Sequence, residues 1–189
     1  MGIHPLTSAG VFLDRDGVLN WSPVGSDGVP RPPANADEVE VLPRVAEALA
    51  KLRALGFRLV VVTNQPDIAR GSTAPEIVRA INARLAKKLG LSDFRVCPHD
   101  DADGCEGRKP KPGLLLAAAV EHGIDTARSY MVGDRWRDIE AGRRAGCTTI
   151  LVDSGHAEPL LSEPDHRVRS LWEASEWIEE REREVRAKR

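Results

Sequence analysis

A chain of 189 residues is long enough for one domain with a buried core, and 41% hydrophobic with 30% charged residues is a globular balance, not a disordered or fibrous one. The formal net charge of −2 excludes a global basic field for nucleic acid or anionic membrane, and no apolar run approaches the roughly 18 residues that cross a bilayer. Three cysteines do not make a disulfide framework, and residues 1–10 lack the charged start and long apolar stretch of a secretory leader; a cytoplasmic, monomeric protein is expected.

In chain order, residues 11–13 (Val-Phe-Leu) read as a buried strand. Residues 22–36, rich in Pro and Gly, read as a surface loop. Residues 43–55 form a predicted helix with Pro43 near its first turn and Val45, Leu49 and Leu52 on one face. Residues 59–62 (Leu-Val-Val-Val) are a second buried strand. Residues 73–89 form a helix in which Thr73 is the expected cap, Pro75 fits the first turn, and Ile77, Ile81, Leu85 and Leu89 recur every four residues. Residues 94–96 are a short strand, 112–122 a helix closed by Gly123, 130–132 a strand, 136–145 a helix closed by Gly146, and 149–152 a strand. Residues 171–178 are a final helix, followed by a charged, solvated tail over 179–189. Alternating apolar strands and helices predict an α/β fold: a Rossmann-like, doubly wound parallel sheet with helices on both faces, in one domain over 1–189 with its core at about 9–155 and no large cap domain.

Ligands of such sheets bind beyond the carboxyl ends of the strands, so the polar residues there are the candidates. Asp14 and Asp16 follow the first strand; one carboxylate can attack phosphorus and the other can serve as acid and base, although turn-forming or capping aspartates have the same appearance. Thr63 and Asn64 end the second strand, where a hydroxyl can hold a phosphate oxygen, although a Thr that simply starts a turn has the same appearance. Arg108 and Lys109 precede a helix start that suits a phosphate dianion, and a solvated basic loop is the alternative. Asp134 follows the strand at 130–132 and can join Asp14 on Mg²⁺, or simply cap a helix.

In order and spacing these motifs resemble the haloacid dehalogenase superfamily of phosphatases over residues 11–152. The resemblance implies Asp14 as nucleophile, Asp16 as general acid and base, Thr63 and Lys109 as phosphate holders, and Mg²⁺ on Asp14, the Asp16 carbonyl and Asp134, with Asp138 behind the metal. Lys109 takes the lysine role in preference to Lys111. The runs at 16–20, 63–65, 68–71 and 108–110 are similar to the branch containing D-glycero-D-manno-heptose 1,7-bisphosphate phosphatase and histidinol-phosphatase. That likeness implies a small phosphorylated metabolite as substrate, with Asn20, the loop 22–25 beginning at Ser22, Asn64, Arg108 and Arg135 as its contacts. A heptose bisphosphate is the first expectation, histidinol phosphate the alternative, and a non-catalytic metal-binding module the third reading. The branch carries a zinc loop ahead of its Arg-Lys-Pro run. Over 97–108, Cys97, His99 and Cys105 match three ligand positions, but Gly107 stands at the fourth. An acidic neighbour (Asp100, Asp101, Asp103 or Glu106) completing a Zn²⁺ shell, water completing it, and no zinc at all remain open. Cys147 is expected in the core.

Overall fold

A computed structural model of the chain describes residues 8–25, 30–153 and 159–187. Six strands form one all-parallel sheet: β1 (Gly10–Leu13), β2 (Arg58–Asn64), β3 (Phe94–Cys97), β4 (Tyr130–Gly133), β5 (Thr148–Val152) and β6 (His166–Val168). Between and after them run α1 (Val45–Ala54), α2 (Pro75–Leu89), α3 (Gly113–His122), α4 (Trp136–Ala145) and α5 (Leu171–Ala187). The strand order is 3-2-1-4-5-6, so the chain winds outward through β2 and β3 and then returns to the other side of β1 with β4. The winding reverses between β1 and β4, which is where such a sheet opens a crevice at its carboxyl edge.

Two-residue alternation divides the strand side chains between two cores. Val11 and Leu13, Leu59 and Val61, and Tyr130 and Val132 join Leu49, Leu52, Ile81, Leu85, Leu171 and Ile178 on the face covered by α1, α2 and α5. Phe12, Val60, Val62 and Met131 face the other way, onto Leu115, Ala118 and Ala119 of α3 and Ala141 and Ala145 of α4. Strands buried on both faces explain why the sequence shows continuous apolar runs instead of alternation. Cys147 joins the second core as expected.

Two expectations need correction, and one strand was not expected. Thr73 does not cap α2: Ala74 holds the cap position without a side-chain bond, and Pro75 alone marks the start. The edge strand β6 had no apolar run to announce it, being only His-Arg-Val. The final helix continues to Ala187, well past 178, so the charged stretch through that point is ordered. Three of its charges are engaged: Arg183 bonds Glu179 at 2.7 Å, Lys51 of α1 pairs with Glu179 at 3.2 Å, and the Tyr130 hydroxyl donates to Glu182 at 2.8 Å. Of the loop expected over 22–36, residues 26–29 lie outside the described residues, as do residues 1–7 of the amino-terminal stretch and 188–189 of the tail. Among the described residues no helix is long and apolar enough to cross a membrane.

Candidate active site

β1 lies between β2 and β4, so its carboxyl end sets Asp14 between Thr63 and Asn64 on one side and Asp134 on the other. The Asp14 amide extends the sheet ladder by donating to the Val132 carbonyl at 2.9 Å, which fixes where its side chain emerges. A cleft of about 430 Å³ opens there and is lined by Asp14, Asp16, Thr63, Lys109, Asp134 and Asp138 at its base.

Lys109 arrives from the loop before α3. Its Nζ meets Asp14 Oδ1 at 2.8 Å, Asp138 Oδ1 at 2.6 Å and the Val62 carbonyl at 2.7 Å. Asn64 holds that loop by pairing with the Lys109 backbone in both directions, donating at 2.9 Å and accepting at 3.1 Å. Lys111, by contrast, reaches Gly104 and Glu106 on the exposed side. Burial works against the Lys109 charge, but Asp138 and Asp14 outweigh it and hold the ammonium above its ordinary pKa. Burial likewise pushes the Asp14 carboxyl up to about 6; Lys109 pulls it down, and Asp138 and Asp16 push it further up. Asp134 is raised well above the carboxylate range, first by burial and then by Asp14 and Asp138.

Asp14, Asp134 and Asp138 offer carboxylate oxygens within 4.8 Å of one another, and all three side chains are buried. Three buried carboxyls gathered beside one ammonium crowd negative charge whenever they ionise, which is the setting that favours a counter-cation. Hard oxygen donors at this charge fit Mg²⁺. Gly17 supports the fit: at φ +85, a Cβ there would sit 2.2 Å from Asp134 Oδ2. Asp138 also accepts from the Arg135 amide at 3.0 Å, so one carboxylate anchors both the lysine and the entry of α4. Asp134 lies just outside that helix; its cap residue is Arg135.

Asp16 faces the same cleft under several restraints. Arg15, fully buried, grips it through Nε at 3.1 Å and Nη2 at 2.8 Å, while Asn20 and Gln65 donate to it at 2.9 and 3.0 Å. Gln65 also donates to the Thr63 hydroxyl at 2.9 Å, linking Asp16 to Thr63. Arg15 is braced from behind by Asn82 of α2 at 2.9 Å. Neither Arg15 nor Gln65 has a role assigned from sequence alone; the local signals are that Arg15 is next to Asp16 and that Gln65 lies two residues after Thr63.

The expected contacts do not all reach the cleft. Asn20 is fully buried, is not among the cleft residues, and serves as a donor to Asp16 and the Trp21 carbonyl. Ser22, Asn64, Arg108 and Arg135 do line the cleft. The Ser22 hydroxyl is spent on the Arg31 carbonyl at 2.8 Å, tying the flanking loop together. Arg70 and Arg137, which were not singled out from the sequence, join the rim.

In the loop at 97–108, Cys97, His99 and Cys105 place ligand atoms within 4.8 Å of one another, with Cys97 Sγ 3.8 Å from His99 Nδ1 and 3.9 Å from Cys105 Sγ. A Cβ on Gly107 would come within 3.7 Å of Cys105 Sγ, so the fourth position faces the cluster without a donor. The acidic neighbours do not complete it: Asp100 binds Arg70, Asp101 binds Arg108 and Arg137, Asp103 accepts from the Asp100 amide, and Glu106 binds Lys111.

Residues 106–174 match the HAD-hydrolase-like family model. The chain is 36% identical over 159 residues to the D-glycero-beta-D-manno-heptose-1,7-bisphosphate 7-phosphatase of Pseudomonas aeruginosa, covering 82% of this chain and 86% of the relative. It is 36% identical over 191 residues to the D-glycero-D-manno-heptose-1,7-bisphosphate 7-phosphatase of Thermosynechococcus vestitus, covering 89% and 94%. The crystal structure of D,D-heptose 1,7-bisphosphate phosphatase from B. bronchiseptica complexed with magnesium and phosphate superposes with a TM-score of 0.78 at 30% identity, over 92% of this chain and 99% of that one.

Proposed function

The chain belongs to the haloacid dehalogenase-like phosphatases, and from that premise we propose that its cleft removes one phosphate from a sugar bisphosphate of the heptose type. The observation that carries this reading is the convergence of Asp14, Lys109, Asp134 and Asp138 at the point where the sheet reverses. Phosphoryl transfer asks chiefly for positioning and charge neutralisation, and this group supplies both.

A carboxylate oxygen of Asp14 attacks phosphorus in line with the sugar oxygen. The new bond makes an aspartyl phosphate as the bond from phosphorus to the sugar oxygen breaks, and Asp16 delivers its proton to that oxygen. Asp16 then takes a proton from water, which attacks phosphorus, releases inorganic phosphate and restores the Asp14 carboxylate. Lys109 and the Thr63 hydroxyl hold the phosphoryl oxygens, while Arg15, Asn20 and Gln65 aim Asp16. Mg²⁺ on Asp14, Asp134 and the Asp16 carbonyl would neutralise the phosphate charge. Arg108 and Arg135 line the same cleft, and their guanidinium groups suit a second, distal phosphate.

The Cys97, His99 and Cys105 trio supports a zinc ion with solvent as its fourth ligand. Metal analysis should return about one zinc per chain, lost in Cys97→Ser; protein purified folded and zinc-free would refute it.

Phosphate release from heptose 1,7-bisphosphate, histidinol phosphate and p-nitrophenyl phosphate, with and without Mg²⁺, tests the activity. The bisphosphate should have the highest kcat/KM, and Asp14→Asn should abolish turnover. A preference for histidinol phosphate would overturn the substrate, and wild-type turnover by Asp14→Asn would remove the nucleophile.

A further inference from the structure

At the edge of the cleft two arginines from separate elements meet on one carboxylate. Arg108, in the metal loop, donates from Nε to Asp101 Oδ1 at 2.8 Å. Arg137, in the first turn of α4, donates from Nη1 to the same oxygen at 3.0 Å and from Nη2 to Oδ2 at 3.1 Å. Both arginines line the cleft, and Asp101 does not. Each arginine is held from a second direction as well: Arg108 donates from Nη1 to the His99 carbonyl at 3.0 Å, and the Arg137 guanidinium stacks on Trp136, 4.7 Å from the ring centroid.

We propose that Asp101 is a positioning residue for substrate selection: it draws Arg137 to Arg108 so that the two present a paired guanidinium site to a distal phosphate. Two cations this close repel each other, and a shared carboxylate offsets that cost. The bonds named use two of the five N–H donors on each guanidinium, and planar donors suit an oxyanion. Because Asp101 belongs to the loop that carries Cys97, His99 and Cys105, the brace also ties that loop to the α4 side of the cleft.

Structural upkeep is a weak alternative role. The Asp101 side chain is 57% exposed, and exposed ion pairs contribute little to stability. Its carboxylate takes no part in the cap of its own turn, which falls to Asp100 and Asp103. Asp101→Asn therefore leaves the loop standing and makes a cleaner probe than Asp100→Asn.

The inference rests on the reading of the substrate as a bisphosphate, and the test separates the two. The full-length protein with Mg²⁺ is assayed on heptose 1,7-bisphosphate and on p-nitrophenyl phosphate, comparing wild type with Asp101→Asn, Asp101→Glu, Arg137→Gln and the double variant Asp101→Asn/Arg137→Gln. Asp101→Asn should lower kcat/KM for the bisphosphate about tenfold, mainly through KM, and change the aryl phosphate by less than about twofold. Asp101→Glu should recover part of the loss, and the double variant should be no worse than Arg137→Gln alone. An unchanged or tighter KM for the bisphosphate in Asp101→Asn, equal losses on both substrates, or losses that multiply in the double variant would overturn the proposal. A wild type with no preference for the bisphosphate would instead overturn the substrate reading, and the inference with it.

Discussion

Burial of like charges makes metal-linked stability the sharpest consequence of this site. The Asp14 carboxyl is raised from 3.8 to about 6, with burial the largest cause. Between those values the folded state binds more protons than the unfolded one, so stability must fall as pH rises through that window. At 1.36 kcal/mol per unit, the contribution present below about pH 4 and lost above pH 6 is roughly 3 kcal/mol. For a chain of this size that corresponds to a melting shift on the order of 10 °C. Mg²⁺ competes with the proton for Asp14, so its stabilisation should be small at about pH 5 and large at about pH 7.5, near 3 kcal/mol at a hundredfold excess over Kd. Differential scanning fluorimetry on EDTA-treated protein, with and without Mg²⁺ at both pH values, measures all four conditions. Asp14→Asn lacks the titrating group and should show a flatter EDTA curve, and Asp134→Asn should lose the Mg²⁺ shift while melting higher than wild type in EDTA. A Mg²⁺ shift that is the same at both pH values, or that survives in Asp134→Asn, would refute the reasoning.

Two further substitutions probe the same geometry. Gly17→Ala puts a Cβ 2.2 Å from Asp134 Oδ2 at a positive φ, so activity should collapse and the Mg²⁺ requirement rise, with a backbone cost of about 1–2 kcal/mol; an unchanged Mg²⁺ titration would show that the turn yields. Lys109→Met strands Asp14 and Asp138 without their ammonium, so urea denaturation in EDTA should show a loss of about 3–5 kcal/mol, and stability equal to wild type would mean that the carboxylates simply take up protons.

The central strands and the positions of the candidate site residues were legible because they leave local marks. Residues 59–62 are apolar without a break because β2 is covered on both faces, and Asp14, Thr63 and Asp134 stand out as the first polar residues after such runs. Gly123 and Gly146 announce helix ends because each adopts a left-handed conformation there. β6 left no such mark, since a three-residue edge strand half open to solvent needs no apolar run. The end of α5 was missed for a related reason: its last turns hold their places through Glu179 and Glu182, whose partners Lys51 and Tyr130 lie far away in the chain.

The sequence by itself determined which residue types stand at the carboxyl ends of the strands, because apolar runs and glycine caps are local. Only the tertiary structure decided what those residues do to one another. Asn20 braces Asp16, Arg15 became a buried clamp, and Asp101 joined arginines that lie 29 positions apart in the chain. The physical reason is that electrostatic partnership depends on distance in space and on exclusion of water, and neither is written in the spacing of residues along the chain.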